Sequence, residues 1–149
     1  MIPQSTEKFS FKTKFYISVY NTILSTGWLY IFFHMLLAFF NDGIKSFSKT
    51  YNDLSHLLIF LQLIQMLEIL HVKLGFWKSW WIIYKVLHRA HLMFIFHKVH
   101  EVHEEKMFGF LFFTWALSDV IRYPYYLLNI WRCTPDFLIW LRYSVDLVQ

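Results

Sequence analysis

The chain has 149 residues, of which 57% are hydrophobic, 22% aromatic and only 16% charged. A soluble domain is usually about half apolar and about a quarter charged, so this chain has too few charged side chains to solvate a globule, and a water-soluble fold is excluded. The formal net charge is +4, but the Lys and Arg residues lie between apolar runs, which is typical of membrane flanks and argues against binding to nucleic acid.

The first apolar run, residues 15–40, contains no Asp, Glu, Lys or Arg. It can cross a bilayer, because about 20 apolar residues are enough. A cleaved signal peptide has an apolar core of only about 7–15 residues, so the sequence predicts a retained first helix. The preceding segment, residues 1–14, carries Lys8, Lys12 and Lys14. This basic flank favours a cytosolic N-terminus.

Further apolar runs follow, separated by short polar stretches. The runs are residues 54–72, 80–96, 107–131 and 137–149, and the stretches between them are residues 41–53, 73–78, 98–106 and 132–136. The last run is too short to cross about 30 Å of hydrocarbon. We therefore predict an all-α, polytopic membrane helix bundle with four full transmembrane helices and the start of a fifth. It forms a single membrane domain, with the bundle over residues 15–149 expected to be incomplete at its C-terminus.

Ionisable residues inside these runs need a partner or a protein-facing position, because exposure to lipid is costly. Glu68 lies in the second run, Arg89 in the third, and Asp119 and Arg122 in the fourth. Residues three positions apart on a helix are neighbours, so Asp119 and Arg122 can pair. We expect these side chains to face the bundle interior and to hold the helices together. Pro124 removes an amide donor and predicts a kink.

Histidines are frequent in the second half of the chain. His88 and His91 are three positions apart, and His97, His100 and His103 repeat that spacing. Membrane di-iron oxygenases use histidine boxes, but those contain ligands four positions apart as well, and no such histidine pair occurs here. We interpret these histidines as residues of the membrane interface around a loop, and we predict no metal site.

The single cysteine, Cys133, raises the question of phosphatase chemistry. That chemistry needs a phosphate-cradling loop and an arginine six residues after the cysteine, where this chain has Ile139. We therefore reject a phosphatase. Neither a Gly-rich phosphate loop nor a Ser-His-Asp order is present, and we predict no cofactor.

Several short motifs occur in order along most of the chain. They are Tyr20-Asn21 leading to Gly27-Trp28, Leu67-Glu68-Ile69-Leu70-His71 with Gly75 four residues on, WALSDVIRY over residues 115–123, Pro124-Tyr125-Tyr126, and Trp140-Leu141-Arg142-Tyr143. Together they resemble the very-long-chain (3R)-3-hydroxyacyl-CoA dehydratase family, once labelled protein-tyrosine-phosphatase-like. Asp119 stands where that family usually has Glu.

The resemblance implies a six-helix protein of the endoplasmic reticulum membrane and a lyase of fatty acid biosynthesis. Such a hydro-lyase converts a 3-hydroxyacyl-CoA into a trans-2-enoyl-CoA during fatty acid elongation. It implies a long-chain 3-hydroxyacyl-CoA as substrate, membrane lipid around the helices, and the elongase and reductase enzymes of the cycle as partners. No cofactor and no nucleic acid are implied.

The family's chemistry uses a Tyr and a Glu seven positions apart, in a YPxGxxxE stretch. Here residues 144–149 follow Tyr143, and the sequence stops one position before the expected Tyr. We therefore predict no catalytic residue within this chain and expect it to be inactive by itself. The alternative is a non-catalytic, truncated relative that acts as a membrane interaction protein or has no function. The residues that match polar positions of the family are expected to be buried supports: Glu68, Arg89, Asp119, Arg122 and Arg142.

Overall fold

The computed structural model describes residues 10–76, 80–99 and 106–146, and all regular structure in these ranges is helical. The helices are α1 (Phe11–Asp42), a 3₁₀ helix (Gly43–Ser48), α2 (Thr50–Gln65), α3 (Leu67–Lys73), α4 (Trp80–Lys98), α5 (Lys106–Ile130) and α6 (Asp136–Asp146). The predicted all-α class is confirmed.

Two stretches are long and apolar enough to cross a membrane, Phe11–Ser48 and Asn52–Lys73. The first is apolar on both of its faces, because large apolar side chains such as Ile23, Phe33 and Leu37 are exposed in addition to those that are buried. A helix that is hydrophobic all round is suited to a lipid environment. The larger number of spans expected from the sequence stays a prediction.

The stretch between α1 and α2 is more helical than its polar composition predicts. The Ser46 hydroxyl donates to the Gly43 carbonyl at 2.8 Å, and the Ser48 hydroxyl donates to the Lys45 carbonyl at 2.9 Å. These bonds satisfy backbone groups of the 3₁₀ helix locally, and Ser46 and Phe47 are buried there. The polar stretch over residues 41–53 is therefore helical for most of its length.

The second apolar run is divided at Met66 and ends in a glycine turn. The Met66 amide donates to both the Gln62 and the Leu63 carbonyls at 3.2 Å, which marks the short irregularity between α2 and α3. After α3, Gly75 has φ +78°. Its amide donates to Val72, and the next amide, of Phe76, donates to His71. This pattern is a Schellman motif, which favours glycine at the left-handed position, and it lies within the polar stretch over residues 73–78.

The contacts divide the chain into two compact units, one within residues 35–111 and the other within residues 4–34 and 112–149. In the first unit, α4 packs against α2 and α3. The buried apolar side chains are Met35, Phe47, Leu54, Leu58, Leu61, Val86, Met93 and Phe96. The single domain expected from the sequence stays a prediction.

In the second unit, the first part of α1 runs antiparallel to α5. The Trp131 indole donates to the Ser18 hydroxyl at 2.9 Å, and Phe32 stacks on Phe113 with ring centroids 5.4 Å apart. The buried residues of α1 recur at helical spacing along this contact: Ile17, Tyr20, Asn21, Leu24, Ser25, Trp28 and Ile31.

The turn between α5 and α6 is closed by a residue with positive φ. Arg132 has φ 56°, its amide donates to Asn129, and the Cys133 amide donates to Leu128. These two bonds make a second Schellman motif, with an arginine at the position that normally favours glycine. The positive charge suits a helix C-terminus, although the left-handed backbone strains a non-glycine residue.

Candidate functional site

The second unit buries an ion pair within α5. Asp119 is fully buried, Arg122 is 7% exposed, and the Arg122 Nε lies 3.3 Å from Asp119 Oδ1. This is the pair predicted from the three-residue spacing. One α5 turn places both groups on the same face, so opposite charges meet without a second helix having to supply either one.

The pair continues into a chain of aromatic and cationic groups toward α6. Arg122 donates through Nη2 to the Tyr123 hydroxyl, and its guanidinium carbon lies 4.6 Å from the Tyr123 ring centroid. Tyr123 meets Tyr126 edge-on at 6.5 Å. Arg142 of α6 then donates to the Tyr126 hydroxyl at 3.4 Å. Asp119, Arg122, Tyr123, Tyr126 and Arg142 form what we call the α5–α6 polar cluster.

The buried face of α1 in this unit contains Asn21, Ser25 and Trp28, which we call the α1 polar face. These residues are at positions i, i+4 and i+7, which share one side of a helix. Asn21 Nδ2 donates to the Ile17 carbonyl at 2.8 Å. Within the described residues, Asn21 Oδ1 accepts no hydrogen bond and the Trp28 indole N–H donates none.

The first unit has a polar stripe of its own. Gln62 and Gln65 of α2 and Glu68 and His71 of α3 are all buried. They occur at three-residue spacing, so they continue the buried face that begins with leucines earlier in α2. Arg89 is buried on the opposing helix α4. The His71 ring lies 5.8 Å from the ring of Phe76.

The structure thus buries Glu68, Arg89, Asp119 and Arg122, whereas Arg142 is only half-buried. Asp119, Arg122 and Arg142 lie in the second unit, and Glu68 and Arg89 lie in the first. Their expected role as supports for the bundle stays a prediction.

The histidines of α4 lie on its surface. His88 and His91 are exposed, and His88 stacks on Tyr84 at 5.9 Å. His100 and His103 lie outside the described residues. Among the residues that the structure describes, no three His, Cys, Asp or Glu side chains form a group that could hold a metal ion.

Eight residues of these clusters were not identified as site residues from the sequence: Asn21, Ser25, Trp28, Gln62, Gln65, His71, Tyr123 and Tyr126. Asn21 and Tyr123 were noticed only as parts of motifs, and Gln62 was not noticed. Asn21 carried a usable signal, because it shares a helical face with Ser25 and Trp28. Tyr123 carried none, since it is adjacent to Arg122 in the sequence and neighbours at i, i+1 on a helix do not normally face each other.

The buried polar side chains of the second unit carry no net charge and include hydrogen-bond donors and acceptors. The charges of Asp119 and Arg122 cancel, while Trp28 offers a donor and Asn21 an acceptor on the adjacent helix. Unused buried donors and acceptors are uncommon in proteins.

These features define an all-α protein whose membrane-length helices enclose polar side chains. The model of the family described as "Protein tyrosine phosphatase-like protein, PTPLA" matches residues 62–148. Since this match covers more than half of the sequence, the chain belongs to the PTPLA family.

Curated relatives carry the name of one enzyme class. "Very-long-chain (3R)-3-hydroxyacyl-CoA dehydratase 3" of Bos taurus is 30% identical over 135 residues, covering 89% of this chain and 37% of the relative. The dehydratase of Gallus gallus is 29% identical, covering 93% of this chain and 39% of the relative. Dehydratase 2 of Homo sapiens is 29% identical, covering 89% and 53%. The chain therefore spans between about two fifths and one half of these relatives. No solved structure matches it significantly.

Proposed function

We propose that the chain belongs to a very-long-chain (3R)-3-hydroxyacyl-CoA dehydratase, a lyase that removes water from a 3-hydroxyacyl-CoA to give a trans-2-enoyl-CoA during fatty acid elongation. The observation that carries this proposal is the similarity of about nine tenths of the chain to relatives that bear this enzyme's name. The enclosed polar groups support it, because a substrate with an acyl chain and polar oxygens needs both apolar helices and a few buried hydrogen-bonding partners.

Within this function we assign support roles to the buried ionisable residues. Asp119 and Arg122 neutralise each other, Arg142 ties α6 to Tyr126 of α5, and Glu68 and Arg89 occupy the facing helices of the first unit. Buried charges persist where they are paired or hydrogen-bonded. These contacts support the packing of the helices within each unit.

We assign neither the acid nor the base of the reaction to a residue of this sequence. Dehydration needs a base for the α-proton and an acid for the departing hydroxide. The pair expected from the resemblance is a Tyr with a Glu seven positions later, and no tyrosine of the 149 residues has one. We therefore expect these residues to bind substrate without converting it.

The test of this function uses the 149-residue chain in lipid nanodiscs. A long-chain (3R)-3-hydroxyacyl-CoA should bind saturably and much more tightly than 3-hydroxybutyryl-CoA, and no enoyl-CoA should form. Conversion would overturn the catalytic assignment, and Asp119 and Tyr123 would then be the first groups to replace. Failure of both thioesters to bind would favour the alternative, a non-catalytic membrane interaction protein.

We further propose residence in the endoplasmic reticulum membrane, with a cytosolic N-terminus and contacts to the elongase and reductase enzymes of the same cycle. The basic residues before the first apolar run support this orientation. A glycosylation acceptor inserted in the Gly43–Ser48 segment should be modified in microsomes. Modification only of an acceptor inserted at residues 76–80 would reverse the orientation.

A further inference from the structure

Positive charge is unevenly distributed along the second unit. Lys12 and Lys14 lie in the first turn of α1, and Arg132 follows the end of α5. The opposite end of the same unit, residues 27–34 of α1 and 112–118 of α5, contains no Lys or Arg. An anionic group at an end of this unit therefore meets lysine and arginine only at the end where α1 begins.

Contacts of Trp131 bring these cations to the same end of the unit. Its indole donates to the Ser18 hydroxyl at 2.9 Å, and that hydroxyl donates to the Lys14 carbonyl at 2.8 Å. The ring of Phe11 meets the Trp131 ring edge-on, with centroids 6.4 Å apart. The start of α1 and the end of α5 are thereby held side by side. The cations gathered there, which we call the α1–α5 basic rim, are Lys12, Lys14 and Arg132.

This end of the unit is accessible from water. Lys12 and Arg132 are exposed, and Phe11 and Trp131 are 71% and 46% exposed. Tryptophan is enriched at the level of the lipid headgroups, where its ring is half in contact with water. A water-soluble part of a ligand can therefore reach the rim while an apolar part stays among the helices.

Arg132 occupies a backbone conformation that stability alone would give to glycine. Its φ is 56°, and the turn that it closes normally has glycine at this position. Strained non-glycine residues concentrate at functional sites. The side chain is exposed, so burial in a core does not explain the choice of arginine. A guanidinium offers a planar fork of donors that matches the oxygens of a phosphate.

The balance of charge at this end favours an anion. Among the described residues there, Asp136 supplies the opposing charge as the first residue of α6. A carboxylate in that position already interacts favourably with the positive end of its own helix. Three cations against one carboxylate leave this end of the unit positive.

We propose that the α1–α5 basic rim binds the phosphate groups of the coenzyme A part of the substrate. The inference rests on the proposed function and extends it, because it assigns the anionic part of the substrate to named residues. A long-chain acyl-CoA joins an apolar chain to several phosphates, and charged groups are costly to bury. The phosphates therefore need cations at an aqueous end of the helices, which the rim supplies.

The probes are a long-chain (3R)-3-hydroxyacyl-CoA and the matching pantetheine thioester, which lacks the phosphates. Both are bound to the 149-residue chain in phosphatidylcholine nanodiscs. Wild type should prefer the CoA thioester by about tenfold at low salt, since each exposed charge pair contributes only modestly. Higher ionic strength should reduce this preference. Arg132→Gly should lower the preference about threefold, and its combination with Lys12→Gln and Lys14→Gln should abolish it.

Lys98→Gln is the matched control, because it removes an exposed lysine at the end of α4 in the first unit. It should leave the preference unchanged. Arg132→Gly relieves the backbone strain, so it should unfold at the same temperature as wild type or higher, and its loss of preference then reports the missing cation.

The outcomes separate this inference from the proposed function. Binding of neither thioester to wild type would contradict the function itself. Equal binding of both thioesters to wild type would leave the function standing and overturn the site. A preference that the triple variant retains would also overturn the site, and the rim would then be a flank that contacts lipid headgroups.

Discussion

Gly109 of α5 lies against the backbone of the 3₁₀ helix, and its replacement by alanine tests that close approach. An ideal Cβ built on Gly109 lies 2.7 Å from the Phe47 Cα and 2.6 Å from the Phe47 Cβ, and it also meets the Phe47 carbonyl oxygen. Gly109 has an ordinary helical backbone, and alanine is the better helix former by about 1 kcal/mol. Without the contact, Gly109→Ala would therefore stabilise the protein.

The contact reverses the sign of this effect. Overpacking of a filled site costs about 1–3 kcal/mol, and here the cost lies toward the upper end because backbone atoms rather than a flexible side chain must move. After the gain in helix propensity, we expect a net loss of about 1–2 kcal/mol. For a chain of this length, that loss corresponds to a fall of about 3–6 °C in unfolding temperature.

The measurement is thermal unfolding of the detergent-solubilised chain, followed by intrinsic tryptophan fluorescence. Met107→Ala is the matched control, because Met107 is exposed two residues earlier in α5. Its effect should stay within about 0.5 kcal/mol. Gly109→Ser should be at least as destabilising as Gly109→Ala. An unfolding temperature for Gly109→Ala equal to or above that of wild type would show that α5 does not approach Phe47 this closely.

Three further substitutions test other contacts by the same unfolding measurement. Asp119→Leu should lower the free energy of unfolding by about 3–5 kcal/mol, because it leaves Arg122 buried without its carboxylate. Asp119→Leu combined with Arg122→Leu should recover most of that loss. A double variant that is as unstable as Asp119→Leu alone would contradict the pairing. Arg132→Gly should raise the free energy of unfolding by about 0.5–1 kcal/mol, because glycine adopts the left-handed backbone without strain. A fall instead would mean that contacts of the arginine side chain stabilise the turn by more than the backbone strain costs. Tyr126→Phe should cost only about 0.5 kcal/mol, since the bond from Arg142 is long and half-exposed.

The helices themselves could be predicted from apolar run lengths. The runs over residues 80–96 and 107–131 agree closely with α4 and α5, because each run is bounded by polar residues in the sequence. The beginning of α1 was placed four residues too late, since Lys12 and Lys14 suggested a flank although lysine is a good helix former. The 3₁₀ helix was missed because serine bonds to nearby backbone carbonyls, which composition does not reveal.

The candidate site was only partly predictable for a different reason. Charged residues are rare inside apolar runs, so the sequence alone indicates that Asp119 and Arg122 form a buried pair. The spacing of Asn21, Ser25 and Trp28 indicates a shared helical face, but it does not show whether their polar atoms find partners in the fold. Hydrogen-bond satisfaction depends on three-dimensional neighbours, and no spacing rule within one helix supplies it.

The two kinds of buried polar residue in the second unit therefore have different meanings. Asp119 and Arg122 meet each other, so their burial is explained by the fold itself. Asn21 and Trp28 each keep an unused hydrogen-bonding atom, and an apolar residue of similar size would avoid a cost of about 1–3 kcal/mol per atom. Stability alone does not account for such residues, since a leucine and a phenylalanine would serve the packing better. Asn21→Leu and Trp28→Phe should therefore each unfold at the same temperature as wild type or higher.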